Sequence, residues 1–246
     1  MDESSKKFYE RLLRLGSDWQ VTDVYFDEVH DSVHVSISYC HKSWVDKRTG
    51  ENLSIYDYRT ERVWRHLDSM EYPTYIHCRL PRVKTSEGSL HTIDVSWAES
   101  GVSHTKKFEN QSIRVLQATH CQQTAAELQN ISDDKMCSIM HRSVLRGLSK
   151  RDLSDIKQIS LDEKSYGKGH RYISVLSDSR TGTVLDIAKD RTQDAADKLL
   201  TDTLNPDRLS CITQTCCDMW EAFANALKKT VRMPDWYTTN FMLSNT

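Results

Sequence analysis

The sequence lacks a charge of one sign. Its 33 lysines and arginines stand against 35 aspartates and glutamates, a net charge of -2. Global charge therefore gives no argument for nucleic acid, and any such partner must be read from local clusters. No apolar run is long enough to span a bilayer, and Met1–Arg14 lacks the apolar centre of a signal peptide. Both absences predict a cytoplasmic chain with no membrane partner. No two of the seven cysteines, Cys40, Cys78, Cys121, Cys137, Cys211, Cys216 and Cys217, are spaced Cys-x-x-Cys. Their number is odd, and in a reducing compartment buried free thiols are the expectation ahead of disulfides or metal. What remains is a chain of 246 residues with 38% hydrophobic content, enough for one large or two small cores.

The apolar pattern predicts mixed α and β structure. Ser5–Leu15 reads as an amphipathic helix with Phe8, Leu12 and Leu15 on one face and Gly16 as its stop. Val21–Phe26 and Val33–Tyr39 read as a hairpin. Val33, Val35, Ile37 and Tyr39 alternate there with His34, Ser36 and Ser38. Short strands are expected at Val63–Leu67, Thr74–Leu80 and Leu90–Val95. Gln122–Gln129 and Asp133–Leu148 read as helices broken at Asn130-Ile131-Ser132.

The second of these helices carries the local basic cluster. Met136, Ile139, Met140, Val144 and Leu148 fall at helical spacing. The other face holds His141, Arg142 and Arg146, with Lys150 and Arg151 beyond, and no acid lies between Ser138 and Arg151. A short turn before a basic helix is the helix-turn-helix layout, which sets that helix in the DNA major groove. By pattern alone the segment is equally an ordinary pair of helices with a solvated basic face.

Two apolar runs end in acids. Ile156 to Leu161 leads to Asp162, and Ile212–Cys217 leads to Asp218. Carboxylates at the ends of strands in one sheet can hold a metal rigidly, which suggests metal-assisted phosphodiester chemistry. Between and beyond them, Arg171–Asp178 and Thr183–Asp190 read as strands joined at Arg180-Thr181-Gly182. Thr192–Leu204 and Met219–Lys229 read as helices. Lys164, Lys168, His170 and Arg171 lie in the polar turn after Asp162, where they could meet phosphate or form an ordinary charged loop.

Several ordered motifs carry a resemblance. They are Trp64-Arg65-His66-Leu67-Asp68, Leu80-Pro81-Arg82-Val83-Lys84, Trp97-Ala98-Glu99, Asp162-Glu163-Lys164-Ser165, Lys168–Asp178 and Cys217-Asp218-Met219-Trp220-Glu221-Ala222-Phe223. In this order, from about Trp19 to about Phe223, the sequence resembles the bacterial insertion-sequence transposases of the ISL-three type. The fold class expected is α+β or α/β. A helix and hairpin (1–39) would precede a degenerate zinc-finger-like domain (40–98) and a helix-turn-helix region (99–152). A partial ribonuclease-H-like domain (153–234) and an aberrant tail (235–246) would follow. Three sequential strands, a helix and a fourth strand are the opening of that catalytic fold, with its first two acids at Asp162 and Asp218.

The resemblance implies cleavage and strand transfer of DNA at insertion-element ends, with Mg²⁺ or Mn²⁺ held by Asp162 and Asp218. It implies DNA contact through Arg142, Arg146, Lys150 and Arg151. The family's zinc ligands would fall near Asp46 and Thr49 and at Thr85 and Gly88, none a thiol or imidazole, so no zinc is expected. Cys40, His41, Cys78 and His91 are read as scattered structural residues. The family's third acid, a Glu on a later helix, has no counterpart, and Trp236–Thr246 matches nothing in the family. Glu221, Glu163 and Asp190 read as surface acids rather than substitutes. The expectation is a C-terminally truncated, inactive transposase, alone or as an oligomer with itself or with full-length transposase. The alternative is a DNA-binding fragment that represses transposition, or a pseudogene product.

Overall fold

The computed structural model describes residues 3–218 and 220–231. The expected Pro-Asp motif at Pro234-Asp235 and the tail after it lie outside the described residues. The chain divides into two compact units, Met1–Leu148 and Ser149–Thr246.

In the first unit, α1 (Glu3–Leu13) is followed by β1 (Trp19–Asp27) and β2 (Ser32–Tyr39), the expected antiparallel hairpin. A register shift between Val21 and Asp23 lets Val21 and Val24 both turn inward opposite Val33, Val35 and Ile37. Next come β3 (Ser43–Val45), β4 (Asn52–Tyr58), β5 (Arg62–Ser69), β6 (Tyr72–Cys78), β7 (Pro81–Lys84) and β8 (Leu90–Thr92). One sheet has the order β1-β2-β6-β5, with β2 and β6 parallel from Val33↔Thr74 to Ile37↔Cys78. A small antiparallel sheet has the order β3-β4-β7-β8. Residues 40–98 thus lend two strands, β5 and β6, to the sheet begun by 1–39.

The family-like motifs of this unit are packing and pairing devices. Trp64 and Val35 are fully buried, and Trp97 stands edge-on to Trp19 and Trp64 with ring centroids 4.9 and 6.0 Å away. Asp57 and Arg82 lie opposite each other in the β4–β7 register and form an ion pair. Arg65 pairs with Asp68.

Three helices complete the unit: α2 (Lys106–Thr119), α3 (Gln122–Leu128) and α4 (Asp133–Lys150), the last running to the unit boundary. The hydroxyl of Thr105 caps α2 by accepting from the Phe108 amide, and it also meets His66 Nδ1 at 2.8 Å. Ala125, Ala126 and Met136 pack with Val115, Leu116 and Ile131, which binds the three helices together. Asn130, in the left-handed region at φ 50°, makes the turn between α3 and α4.

The second unit contains β9 (Gln158–Gly167), β10 (Arg171–Asp178), β11 (Val184–Lys189), α5 (Gln193–Thr203), α6 (Pro206–Ser210), β12 (Gln214–Cys217) and α7 (Glu221–Thr230). Its sheet has the order β11-β10-β9-β12, antiparallel except for β12, which runs parallel to β9. Ile159, Leu161 and Leu176 form one core with Ala196, Leu199 and Leu200 of α5 and Phe223, Ala226 and Leu227 of α7. Gly182 at φ 71° and Asp178 close the β10–β11 turn. The Asp178 carboxylate accepts from the Arg180 amide and the Thr181 hydroxyl, and the hydroxyl bond holds it below the usual carboxylate range.

Several boundaries differ from the sequence expectation. β9 runs on to Gly167 through the segment expected as a polar turn, because Glu163, Lys164 and Ser165 pair with Ser174, Ile173 and Tyr172 of β10, so Asp162 lies within the strand rather than at its end. The strand expected over Cys211–Cys217 begins at Gln214. Asn205 caps α6 by accepting from the Arg208 amide, with Pro206 as the first helical residue, so Leu209 and Ile212 reach the core from a helix and a loop instead. Thr192 is the N-cap of α5 rather than its first residue. The helix expected over Ser5–Leu15 ends at Leu13, because Arg14 turns left-handed at φ 53° before Gly16 is reached.

Candidate functional site

The parallel pairing of β12 with β9 fixes the candidate site. The ladder runs Gln214↔Gln158, Thr215↔Ile159, Cys216↔Ser160, Cys217↔Leu161. Asp162 is the next residue of β9, and Asp218 is the first residue after β12. The last paired residues, Cys217 and Leu161, lie across one inter-strand spacing, about 5 Å between backbones, and the two aspartates follow them directly. Alternation puts Leu161 into the core and Asp162 on the outer side, and both aspartates are exposed. Each spends one carboxylate oxygen on a nearby amide. Asp162 Oδ1 accepts from Glu163 N at 2.8 Å, and Asp218 Oδ1 accepts from Trp220 N at 2.6 Å.

These anionic oxygens are hard donors of the kind Mg²⁺ prefers. That ion commonly takes one or two carboxylates and fills its octahedron with water and phosphate oxygens. Two adjacent carboxylates fit that partial set. Among the described residues no group of three or more His, Cys, Asp or Glu is placed to hold a metal ion.

The other acids named from the sequence are engaged or turned elsewhere. Glu163 Oε1 accepts from Arg191 Nη1 at 2.8 Å. Asp190 sits beyond β11 with φ 69°, its amide bonded to the Tyr172 carbonyl. Glu221 opens α7 and is exposed.

The four cations expected to touch DNA have unequal surroundings. Arg142 donates to Glu109 Oε1 through Nε at 3.0 Å and Nη2 at 2.5 Å. Arg146 Nη1 donates to Glu109 Oε2 at 3.0 Å and Glu99 Oε1 at 2.9 Å. Glu109 lies on α2 and its side chain is 2% exposed, so the two arginines are the counter-charge of a buried carboxylate. Arg151 Nη1 donates to the Leu185 carbonyl at 2.6 Å and stands 3.8 Å from Asp186. Lys150, at the end of α4, is exposed.

A second basic segment follows Asp162 along β9 to the hairpin tip. Lys164, Lys168, His170 and Arg171 occupy the exposed β9–β10 hairpin. Its turn is made by His170 at φ 56° and Gly169 at φ 81°.

The positions corresponding to zinc ligands in the resembled family fall on two hairpin turns of the small sheet. Asp46 Oδ1 accepts from the Arg48 amide at 2.8 Å, and the Gly50 amide donates to the Asp46 carbonyl. In the second turn Thr85 and Ser89 bond through backbone and hydroxyl groups. Local hydrogen bonds close both turns. His66 is 6% exposed, and burial beside Lys107 and Arg65 pushes it down to about 4; its partner is the cap of α2.

Local sequence patterns did not reveal Glu109 or Arg191. Each acquires its role from partners distant in sequence, with ion-pair partners 28 or more residues away.

The chain is similar to known transposases. Residues 159–239 match the family model of an Asp-Asp-Glu transposase of the ISL3 type. Over 238 residues the chain is 28% identical to the transposase for insertion sequence element IS1557 of Mycobacterium tuberculosis, in strains CDC 1551 / Oshkosh and ATCC 25618 / H37Rv. The match covers 93% of this chain and 52% of each relative, so the chain spans about half the length of the curated relatives it matches.

Proposed function

We propose that the chain is an insertion-sequence transposase of the ISL3 type, a reading its matches support, and that its second unit supplies two of the metal-holding acids of a DNA-cleaving centre. The observation that supports this is the β9–β12 register, in which Asp162 and Asp218 directly follow the paired residues Leu161 and Cys217. The strand order, three antiparallel strands with the fourth parallel to the first, supports a ribonuclease-H-like reading of this unit. A bound Mg²⁺ or Mn²⁺ would offset the negative charge that develops on the attacking and leaving oxygens of a phosphodiester.

The residues themselves do three things. Asp162 and Asp218 present carboxylate oxygens from rigid elements. The amides of Glu163 and Trp220 orient one oxygen of each. The hairpin cations Lys164, Lys168, His170 and Arg171 draw the DNA backbone to that edge. We assign phosphate contact to this hairpin and to Lys150. Arg142 and Arg146 belong to the ion-pair cluster that anchors α4 on α2.

Titration of the folded chain with Mn²⁺ tests the reading. Binding in the low-millimolar range or tighter is expected for the wild type, with loss in Asp162→Asn and in Asp218→Asn. Equal binding by wild type and both variants would remove the assignment.

A second reading rests on the exposed cations Lys150, Lys164, Lys168, His170 and Arg171, which can hold a phosphate backbone without any metal chemistry. By itself this chain would bind element-end DNA without cutting it. It would act as a repressor, directly or by pairing with full-length transposase. Retardation of element-end DNA without nicking in Mg²⁺, together with inhibition of an intact relative, is the expected result. Nicking that vanishes in Asp162→Asn would reject this second reading.

A further inference from the structure

One side chain outside the acid pair reaches the neighbours of both members. Arg191 follows β11, in the short connection to α5. Its guanidinium carbon lies 4.1 Å from the ring centroid of Tyr172 and 4.7 Å from that of Trp220, so the cation contacts both rings. Nη1 of the same group donates to Glu163 Oε1 at 2.8 Å, and the Arg191 carbonyl accepts from Trp220 Nε1 at 3.0 Å. Glu163 is the residue after Asp162, and the Trp220 amide is the donor that holds Asp218 Oδ1.

The anchor point is itself fixed. The Ser174 hydroxyl, on a fully buried residue of β10, donates to the Asp190 carbonyl at 2.7 Å, and the Asp190 amide donates to the Tyr172 carbonyl at 3.0 Å. The planar guanidinium can stack on aromatic faces and form a directed ion pair at once. A lysine in its place keeps the charge but not the stacking geometry.

We propose that Arg191 is a positioning residue: it clamps Glu163 of β9 to Trp220 beyond β12 and thereby sets the spacing and aim of Asp162 and Asp218. This rests on the reading of those two aspartates as metal ligands for what the clamp serves, and on the contacts above for its existence. Glu163 Oε2 is buried without a hydrogen-bond partner, so the arginine is also the counter-charge that makes this carboxylate tolerable next to the core. Groups around a metal ligand typically alter affinity 10–100-fold when removed, by loosening its orientation rather than by touching the ion.

The test reads the clamp and the metal separately, on the full chain. Amide hydrogen exchange at Trp220 should accelerate about tenfold in Arg191→Lys, the scale of two cation–π contacts. The core amides of Leu161 and Leu176 should keep wild-type protection. Trp220→Phe, which keeps a ring and loses the Nε1 bond, should give a smaller acceleration. In the second arm, the Mn²⁺ dissociation constant of Arg191→Lys should rise about tenfold at unchanged thermal stability.

Unchanged Trp220 exchange in both variants overturns the clamp. Accelerated exchange with an unchanged Mn²⁺ constant overturns its positioning role. If the wild type takes no Mn²⁺, the metal reading falls, and the exchange arm still decides whether Arg191 holds the loop. Arg191→Lys and Trp220→Phe are chosen over Arg191→Ala because both keep a group in the stack and leave the fold intact.

Discussion

The α4 helix and the β9–β10 hairpin are both basic, and the structure treats them in opposite ways. On α4, Arg142 and Arg146 converge on Glu109, a carboxylate 2% exposed, with Glu99 as a second partner of Arg146. On the hairpin, Lys164, Lys168, His170 and Arg171 stand in solvent. A run of cations without a neighbouring acid in sequence is therefore not a free basic surface. Its counter-ion arrived from 33 and 37 residues upstream, on another helix. Charge that is matched inside the fold contributes to anchoring, and only unmatched charge remains to attract a phosphate backbone.

The comparison can be broken at its strongest point first. Glu109→Ala leaves two half-buried arginines without their carboxylate, and should cost about 3–5 kcal/mol in the stability of the first unit, read by urea unfolding. A change below about 1 kcal/mol would mean that the cluster is solvated and the arginines are available after all.

Acid should loosen the same anchorage. His66 titrates near 6.5 when unfolded and is pushed down to about 4 by burial, so the unfolded chain binds the proton first. The stability this group contributes is complete above about 6.5 and is lost as pH falls towards 4. It amounts to roughly 3 kcal/mol at most. Unfolding midpoints measured across that window should fall steeply for the wild type and less for His66→Gln.

On the other side of the comparison, the triple charge reversal of Lys164, Lys168 and Arg171 to Glu should leave stability within about 0.5 kcal/mol. It should weaken DNA retardation and lower the salt slope of binding by roughly 2–3. Wild-type binding by this variant would return the phosphate contacts to α4. The smallest effect is expected from Lys150→Ala: one exposed cation, a slope change of about 1, and no change in fold.

The legible parts of the fold were those whose pattern is local. The β1–β2 hairpin follows from strict alternation between Val33 and Tyr39. The site strands follow from apolar runs ending in Asp162 and Asp218. α2 escaped because its buried face includes Glu109 and Ser112, polar residues that interrupt the apolar stripe. β3 and β4 escaped because they are half exposed and gain their order by pairing with each other and, through β4, with β7. The same reason limited the site. Two aspartates that follow the segments Ile156–Leu161 and Ile212–Cys217 are visible in a sequence, but relating them needs the parallel register. Arg191 becomes meaningful only when Tyr172, Glu163 and Trp220 converge on it.

The edge-on arrangement of Trp19, Trp64 and Trp97 has an optical consequence. Three indoles within 4.9–6.0 Å of their neighbours couple their excited states and form one chromophore with the handedness of their packing. Among the described residues the second unit contributes Trp220, stacked on a cation and remote in sequence from that trio. The circular dichroism couplet of the trio and the indole N–H resonance of Trp220, which donates to the Arg191 carbonyl, are thus separate native signals. Heating the chain while recording both would show whether its two halves come apart together or in turn.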